Sequence, residues 1–217
     1  MVDNFQHWAR PPAPFGELCI SSGRQKLLAT DETITIKNRT FVLTEIDGLA
    51  FRAASRVNQA SYMVGVAQGA HRCRFGFDAY SRGTEMRDRK REWDSVVQLL
   101  GCKAGLRIAE NKLNQIYAGG RVTFGSLPAT SIEADAEGLR LRRPFMRKIP
   151  WHEISYADMR HGSVRVFISS KESSGKLRLK VDMYGWNAVI LPEVVALMLR
   201  EPPPSFNFDA ARLSGPF

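Results

Sequence analysis

Two pairs of matching segments constrain this chain more than any composition figure. Leu43-Thr44-Glu45-Ile46 is answered by Trp151-His152-Glu153-Ile154. Arg74-Phe75-Gly76-Phe77-Asp78-Ala79-Tyr80-Ser81 is answered by Arg178-Leu179-Lys180-Val181-Asp182-Met183-Tyr184-Gly185. The second pair shares an Arg-x-x-x-Asp-x-Tyr run, and each copy leads to a helical stretch with a tryptophan near its start, Trp93 or Trp186. Matches in the same order, each followed by the same kind of element, predict an internal duplication of a unit of roughly 80 residues. A unit that small buries its apolar side with few elements, so a β-rich sheet covered by one helix is expected in each copy.

Between these landmarks the apolar pattern has period two in short runs. Residues 27–37 alternate through Thr33-Ile34-Thr35-Ile36, and Phe41-Val42-Leu43 and Leu49-Ala50-Phe51 follow. Residues 62–66 and 71–77 read as a hairpin that turns around Gly69. After the charged stretch 82–91, Trp93, Val96, Val97 and Leu100 recur at helical spacing. Leu106, Ala109, Leu113, Ile116 and Tyr117 form a second stripe, and Gly101 and Gly105 are expected to break the helix between the two. In the second copy residues 138–142 alternate, and 164–168 and 176–181 form a hairpin around Ser173-Ser174-Gly175. Ile190, Val194, Leu197 and Met198 mark a closing helix that Pro202-Pro203-Pro204 stops. The boundaries that follow are an irregular N-terminal arm over 1–26, a first unit over 27–120, a second over 121–200, and a proline-rich tail over 201–217.

Composition sets the outer limits. With 44% hydrophobic and 24% charged residues the chain has enough apolar mass to order itself, which excludes wholesale disorder. It has no run of about 18 apolar residues that could form a membrane span. Cys19, Cys73 and Cys102 lack CxxC spacing, so neither a disulfide framework nor a zinc site is expected, and a reducing compartment is the simpler reading. The first ten residues lack the basic segment and apolar stretch of a secretory signal, so a cytoplasmic protein of bacterial type is expected. The formal charge of +9 is spread almost evenly over both halves, which favours anionic partners without dictating a fold.

A bent antiparallel sheet whose open end is covered by one C-terminal amphipathic helix is the order found in pleckstrin-homology-like (PH-like) domains. The chain resembles the tandem bacterial PH-like proteins over residues 27–200. The residues that carry the likeness are Gly120-Arg121-Val122-Thr123-Phe124-Gly125-Ser126-Leu127, Asp135-Ala136-Glu137-Gly138-Leu139 and Ile149-Pro150-Trp151-His152-Glu153-Ile154. In that group a glycine-leucine strand start and a Trp-x-x-Ile lead-in recur in this order. The first copy departs from the pattern, because Leu43 stands where the tryptophan would and the 82–91 insertion precedes its helix. The resemblance implies an α+β fold of two tandem PH-like bent antiparallel sheets or barrels. Each would be closed by a C-terminal amphipathic helix, Trp186 and Leu197 serving the second closure, with an extra helix between the units.

Candidate chemistry is sparse. Arg140, Arg142, Arg143, Arg147 and Lys148 straddle Pro144-Phe145-Met146. By the resemblance they occupy the first strand, its turn and the start of the second strand of unit two, where lipid-binding members hold phosphate. Guanidinium forks suit phosphate, and Phe145-Met146 at a loop tip would touch a bilayer. The competing reading is a solvated hairpin with Phe145 and Met146 packed inside. Arg87-Asp88-Arg89-Lys90-Arg91 is the densest positive run, but without interleaved aromatics it reads as a solvated loop rather than a nucleic-acid platform. His7, His71, His152 and His161 have no metal-ligand spacing, and His152 and Glu153, adjacent in a strand, would face opposite ways. Cys73 alternates with Phe75 and Phe77 and reads as core filling. No nucleophile elbow or phosphate loop is present.

The expected function is therefore non-enzymatic: a binding or scaffold module whose PH-like domains engage a protein partner or a second copy of the chain. Phe5, Trp8 and Phe15 at one end, and Phe206, Phe208, Leu213 and Phe217 at the other, are candidate anchors. The alternative is a peripheral sensor of anionic lipid or phosphoinositide, acting through the basic hairpin of unit two and lying at the inner membrane surface. Nucleic acid is the least favoured partner, and no cofactor or metal is expected.

Overall fold

The computed structural model describes residues 16–80, 84–126, 131–143, 146–160, 162–169 and 175–200. Strands β1 (Leu18–Ser22), β2 (Gln25–Ala29), β3 (Thr33–Ile36) and β4 (Arg39–Val42) pair antiparallel in chain order. A 3₁₀ turn, Leu43–Glu45, swings the chain into a second sheet of β5 (Gly48–Arg56), β6 (Gln59–Gln68) and β7 (His71–Tyr80). A long helix follows, made of α1 (Glu85–Leu100), a π turn (Gly101–Gly105) and α2 (Leu106–Tyr117). The order then restarts with a four-stranded sheet of β8 (Val122–Phe124), β9 (Ile132–Asp135), β10 (Gly138–Leu141) and β11 (Ile149–Pro150). A 3₁₀ turn, Trp151–Glu153, leads to a three-stranded sheet of β12 (Ile154–Arg160), β13 (Ser163–Ile168) and β14 (Lys176–Asp182). A short 3₁₀ turn, Ala188–Ile190, precedes the closing helix α3 (Leu191–Arg200).

Four strands, a 3₁₀ turn, three strands and a helix thus occur twice in one α+β chain. The matched tetrapeptides fall on the two 3₁₀ turns that join the sheets. Leu43 and Trp151 open those turns, Ile46 and Ile154 follow them, and all four side chains are buried. Three residues per 3₁₀ turn bring positions i and i+3 onto one side, which is why an apolar residue stands at each end of the tetrapeptide. Among the described residues no strand pairing closes a sheet into a barrel.

Several sequence expectations need correction. The stretch read as an irregular arm contains β1 and the start of β2, because Ile20 and Leu27 pair across the hairpin and both are fully buried. Residues 27–37 are two strands rather than one. Thr30 accepts the backbone N–H groups of Glu32 and Thr33 on its Oγ1 and folds the chain between them. Gly101 and Gly105 do not break the helix. They stay in right-handed helical geometry, and the π turn that holds them is buried against the Leu43–Glu45 turn. Arg87 to Arg91 lie in the first turns of α1, not in a loop, where Arg89 pairs with Glu92 and Arg91 with Asp88. Residues 138–142 supply the third strand of their sheet, not the first, since β8 and β9 precede them.

The buried apolar residues of both copies form one continuous cluster. Helix α1 lies on β6 and β7, with Trp93 against Tyr62 at a ring separation of 5.6 Å. Helix α2 instead packs on α3, β8 and β9 of the second unit. One rod therefore serves both units.

A second junction binds the copies. The turn after β14, residues 183–187, lies along the free edge of β5. Asn187 donates its backbone N–H to Leu49 O at 2.7 Å, and its Oδ1 accepts the Leu49 N–H at 3.0 Å. Phe51 N–H donates to Met183 O at 3.3 Å. Asn187 sits in the left-handed region at φ 59°, which asparagine tolerates better than most residues, and so presents side chain and backbone to one partner. Trp186 was expected to close its own unit. It rests instead on the outer face of the β5–β7 sheet, where a Cβ built on Gly65 would lie 3.3 Å from the indole. Gly185 crosses Gly125 so closely that a Cβ there would stand 2.5 Å from the Gly125 Cα.

Trp186→Ala and Gly185→Ala are both expected to weaken this junction. Because Trp186 is only partly buried, its loss should cost about 2–3 kcal/mol, below the range for a fully enclosed aromatic. Urea unfolding checks this, and a midpoint unchanged in both variants would show that the turn does not hold the units together.

Candidate functional site

The five basic residues singled out from sequence are held by acids of their own sheet. Arg140 on β10 donates from Nε and Nη2 to Glu133 Oε2 on β9, at 2.8 and 2.7 Å. Arg142 stands 3.4 Å from the other Glu133 oxygen. That carboxylate keeps only 10% of its side-chain surface exposed, so two cations are drawn to one nearly buried charge. Lys148 donates to both oxygens of Asp135 and to Glu137, and Arg147 pairs with Glu153 at 3.2 Å. Arg143 sits in the turn beyond β10, and Met146 is exposed, while Pro144 and Phe145 lie outside the described residues. Arg140, Arg142, Arg147 and Lys148 are thus matched by four carboxylates. The hairpin lies in the third and fourth strands of its sheet rather than the first and second, which brings it beside the acids of β9.

Burial alone would raise the Asp135 carboxyl. The hydrogen bond from Lys148, with those from the Glu137 and Gly138 backbone, outweighs it and holds the group below the usual carboxylate range. Burial likewise opposes the charge on Lys148, but its hydrogen bonds to Asp135 and Glu137 prevail and raise it.

A different set of residues comes together on the outer face of β5–β7. The strand register stacks this face in four rows across the sheet: Gly48, Ala67 and Arg72; Ala50, Gly65 and Arg74; Arg52, Met63 and Gly76; Ala54, Ser61 and Asp78. The first two rows are floored by glycine and alanine, and Trp186 lies on them. Arg72 and Arg74 stand over the indole at 5.4 and 4.9 Å from its centroid. Arg74 and Arg52 approach the Tyr184 ring at 4.2 and 5.6 Å, and Arg74 Nη2 donates to Tyr184 O. Arg74 Nε is buried with no hydrogen-bond partner among the described residues, so the guanidinium rests on two ring faces for compensation. Arg52, Arg72 and Arg74 have no carboxylate within 4 Å among the described residues.

The last two rows remain open as a cleft of about 440 Å³ whose rim is Tyr184. Its floor is Met63, Gly76 and Ala54, with Arg52 on the β5 side and Asp78 on the β7 side. Asp78 Oδ1 accepts the Ser61 hydroxyl at 2.6 Å, and its Oδ2 has no partner among the described residues. The matching face of unit two is built differently. From the register pairs Ser61–Asp78 and Ser163–Asp182, four residues further along the middle strand is Gly65 in one unit and Phe167 in the other. Phe167 stacks on Tyr156 with ring centroids 4.5 Å apart, so unit two fills with its own aromatics the place that Trp186 takes on unit one.

Sequence reading missed this site because its arginines are scattered through two strands and its aromatics come from the other copy. Two signals were available. Residues 62–67 are apolar without alternation, the mark of a strand buried on both faces. Tyr184-Gly185-Trp186 sets two aromatics beside a glycine just outside a strand.

His152 is exposed on the 3₁₀ turn Trp151–Glu153 rather than in a strand, and His71 is exposed at the start of β7. His7, His161 and the terminal aromatics Phe5, Trp8, Phe15, Phe206, Phe208, Leu213 and Phe217 lie outside the described residues. Cys19, Cys73 and Cys102 form no disulfide, and burial pushes the Cys102 thiol up. Among the described residues no three His, Cys, Asp or Glu side chains could hold a metal, and no helix is long and apolar enough to cross a membrane. No protein-family model matches the chain, and no curated protein matches it.

Asp135 titrates lower in the folded chain than its unfolded value near about 3.9. Its contribution to stability is therefore complete above that value and is lost as the pH falls through the folded pKa. Asp135→Asn should destabilise the chain at neutral pH, with the difference from the native chain closing in acid below about pH 4. Thermal unfolding over a pH series checks this, and a difference that persists undiminished in acid would rule out the carboxylate as its source.

Proposed function

We propose that the chain is a non-enzymatic binding module of two PH-like units that engages a protein partner through the outer face of β5–β7. The repeated order of a four-stranded sheet, a 3₁₀ turn, a three-stranded sheet and a closing helix supports the PH-like reading of each unit. The observation that carries the binding role is the gathering of Arg52, Arg72 and Arg74 with Tyr184 and Trp186 beside an open cleft. Arginine, tyrosine and tryptophan are the residue types that dominate the energetic centres of protein interfaces. The rings of tyrosine and tryptophan are rigid and amphipathic, and lose little conformational freedom when a partner covers them. The lipid-sensing alternative is less well supported, because the cations it would use are already paired with Glu133, Asp135, Glu137 and Glu153.

Quantitative mass spectrometry of proteins that co-purify with the full chain tests the proposal. The double variant Arg52→Glu, Arg72→Glu should lose specific partners that Arg143→Glu, Arg147→Glu retains. The reverse pattern, together with pelleting on acidic vesicles that depends on Arg143 and Arg147, would favour the membrane reading and overturn this one.

A further inference from the structure

The turn from unit two covers only half of the β5–β7 outer face. On the uncovered half, Arg52 and Asp78 lie on the two outer strands of the sheet, in adjacent rows, with Met63 and Gly76 between them. We infer that this cleft binds an extended acidic peptide segment of a partner protein, one carboxylate on the Arg52 guanidinium and one backbone N–H on Asp78. The inference rests on the proposal above that the partner is a protein, and it adds the chemistry of the segment recognised.

Three features select that ligand. Arg52 is exposed and held near the Tyr184 ring, and no carboxylate of the described residues occupies its donors, so it is set for a planar carboxylate. The Asp78 Oδ2, which has no partner among the described residues, sets the other limit. A ligand made only of phosphates, whether nucleic acid or lipid headgroup, would bring like charge against it, whereas a peptide supplies an acceptor for Arg52 and an N–H for Asp78. The size agrees as well. β5 and β7 are separated by two inter-strand spacings, about 10 Å, the length of roughly three extended residues. The chain's +9 charge would speed the approach of an acidic partner.

Gly76 offers a clean test. Its φ is not positive, and a Cβ built on it meets only the Tyr62 carbonyl, at 3.6 Å, so a larger side chain fits the strand and projects into the cleft. Fluorescein-labelled heptapeptides rich in Glu, Lys or Gln are titrated against the full chain by polarisation, with oligothymidylate and phosphatidylserine vesicles as further probes. The Glu-rich peptide should bind about tenfold or more tighter than the other two. Gly76→Leu and Arg52→Gln should each weaken it by about tenfold or more, with unfolding midpoints unchanged. Should Gly76→Leu fail to fold, Arg52→Gln at its exposed position decides alone. Glu-rich binding that neither substitution affects would overturn the cleft as the site and leave the protein-partner proposal standing, and failure of all three peptides to bind would overturn the acidic class. Binding of oligothymidylate or vesicles that depends on Arg52, with no peptide bound, would overturn both.

Discussion

The edge of β5 is the constraint on which the rest of this molecule depends. A sheet edge presents a row of unsatisfied N–H and C=O groups, and a chain must cover, pair or blunt it. Here the cover comes from the other copy: Asn187 takes both backbone groups of Leu49, and Met183 takes the Phe51 N–H. Three hydrogen bonds are modest in net energy, on the order of 1 kcal/mol each. Their larger effect is geometric. They fix the turn at residues 183–187 against the sheet, and so decide where Tyr184 and Trp186 come to rest.

Once that turn is in place, the two copies are no longer equivalent. Glycine and alanine at positions 48, 50, 65 and 67 make a shelf low enough for an indole, while Phe167 and Tyr156 fill the corresponding space in unit two. One face became a receptor for the other copy and kept a cleft beside it. The second face closed on itself. The charge distribution follows the same division. Arg140, Arg142, Arg147 and Lys148 are matched by Glu133, Asp135, Glu137 and Glu153, whereas Arg52, Arg72 and Arg74 are left to the aromatics.

The repeat was legible because it rests on local patterns: the buried ends of the 3₁₀ turns, the Gly69 hairpin and the apolar stripes of the helices. Element boundaries were less so. The β1 strand shows one buried side chain, Ile20, in a stretch preceded by prolines, and its pairing partner lies in the next strand rather than in its own pattern. The buried helical glycines were read as breakers because propensity is a local quantity, and close packing against the Leu43–Glu45 turn overrides it. For the site, sequence offered a cluster of cations but not their counter-charges. Arg140 and Glu133 stand seven residues apart and meet only because β9 and β10 are neighbours. The arginine and tryptophan contacts join residues more than a hundred positions apart, which no window along the chain can register.

The π turn between α1 and α2 carries one consequence more. A π turn adds a residue to the helical count, and each residue advances a helix by about 100°. The wider turn at Gly101–Gly105 therefore sets the azimuth between the stripe that α1 shows to β6 and β7 and the stripe that α2 shows to α3. The long helix works as a keyed shaft. Insertion or loss of a single residue there would leave each half folded along its own length yet rotate one copy out of phase with the other, lifting Trp186 from the shelf it occupies.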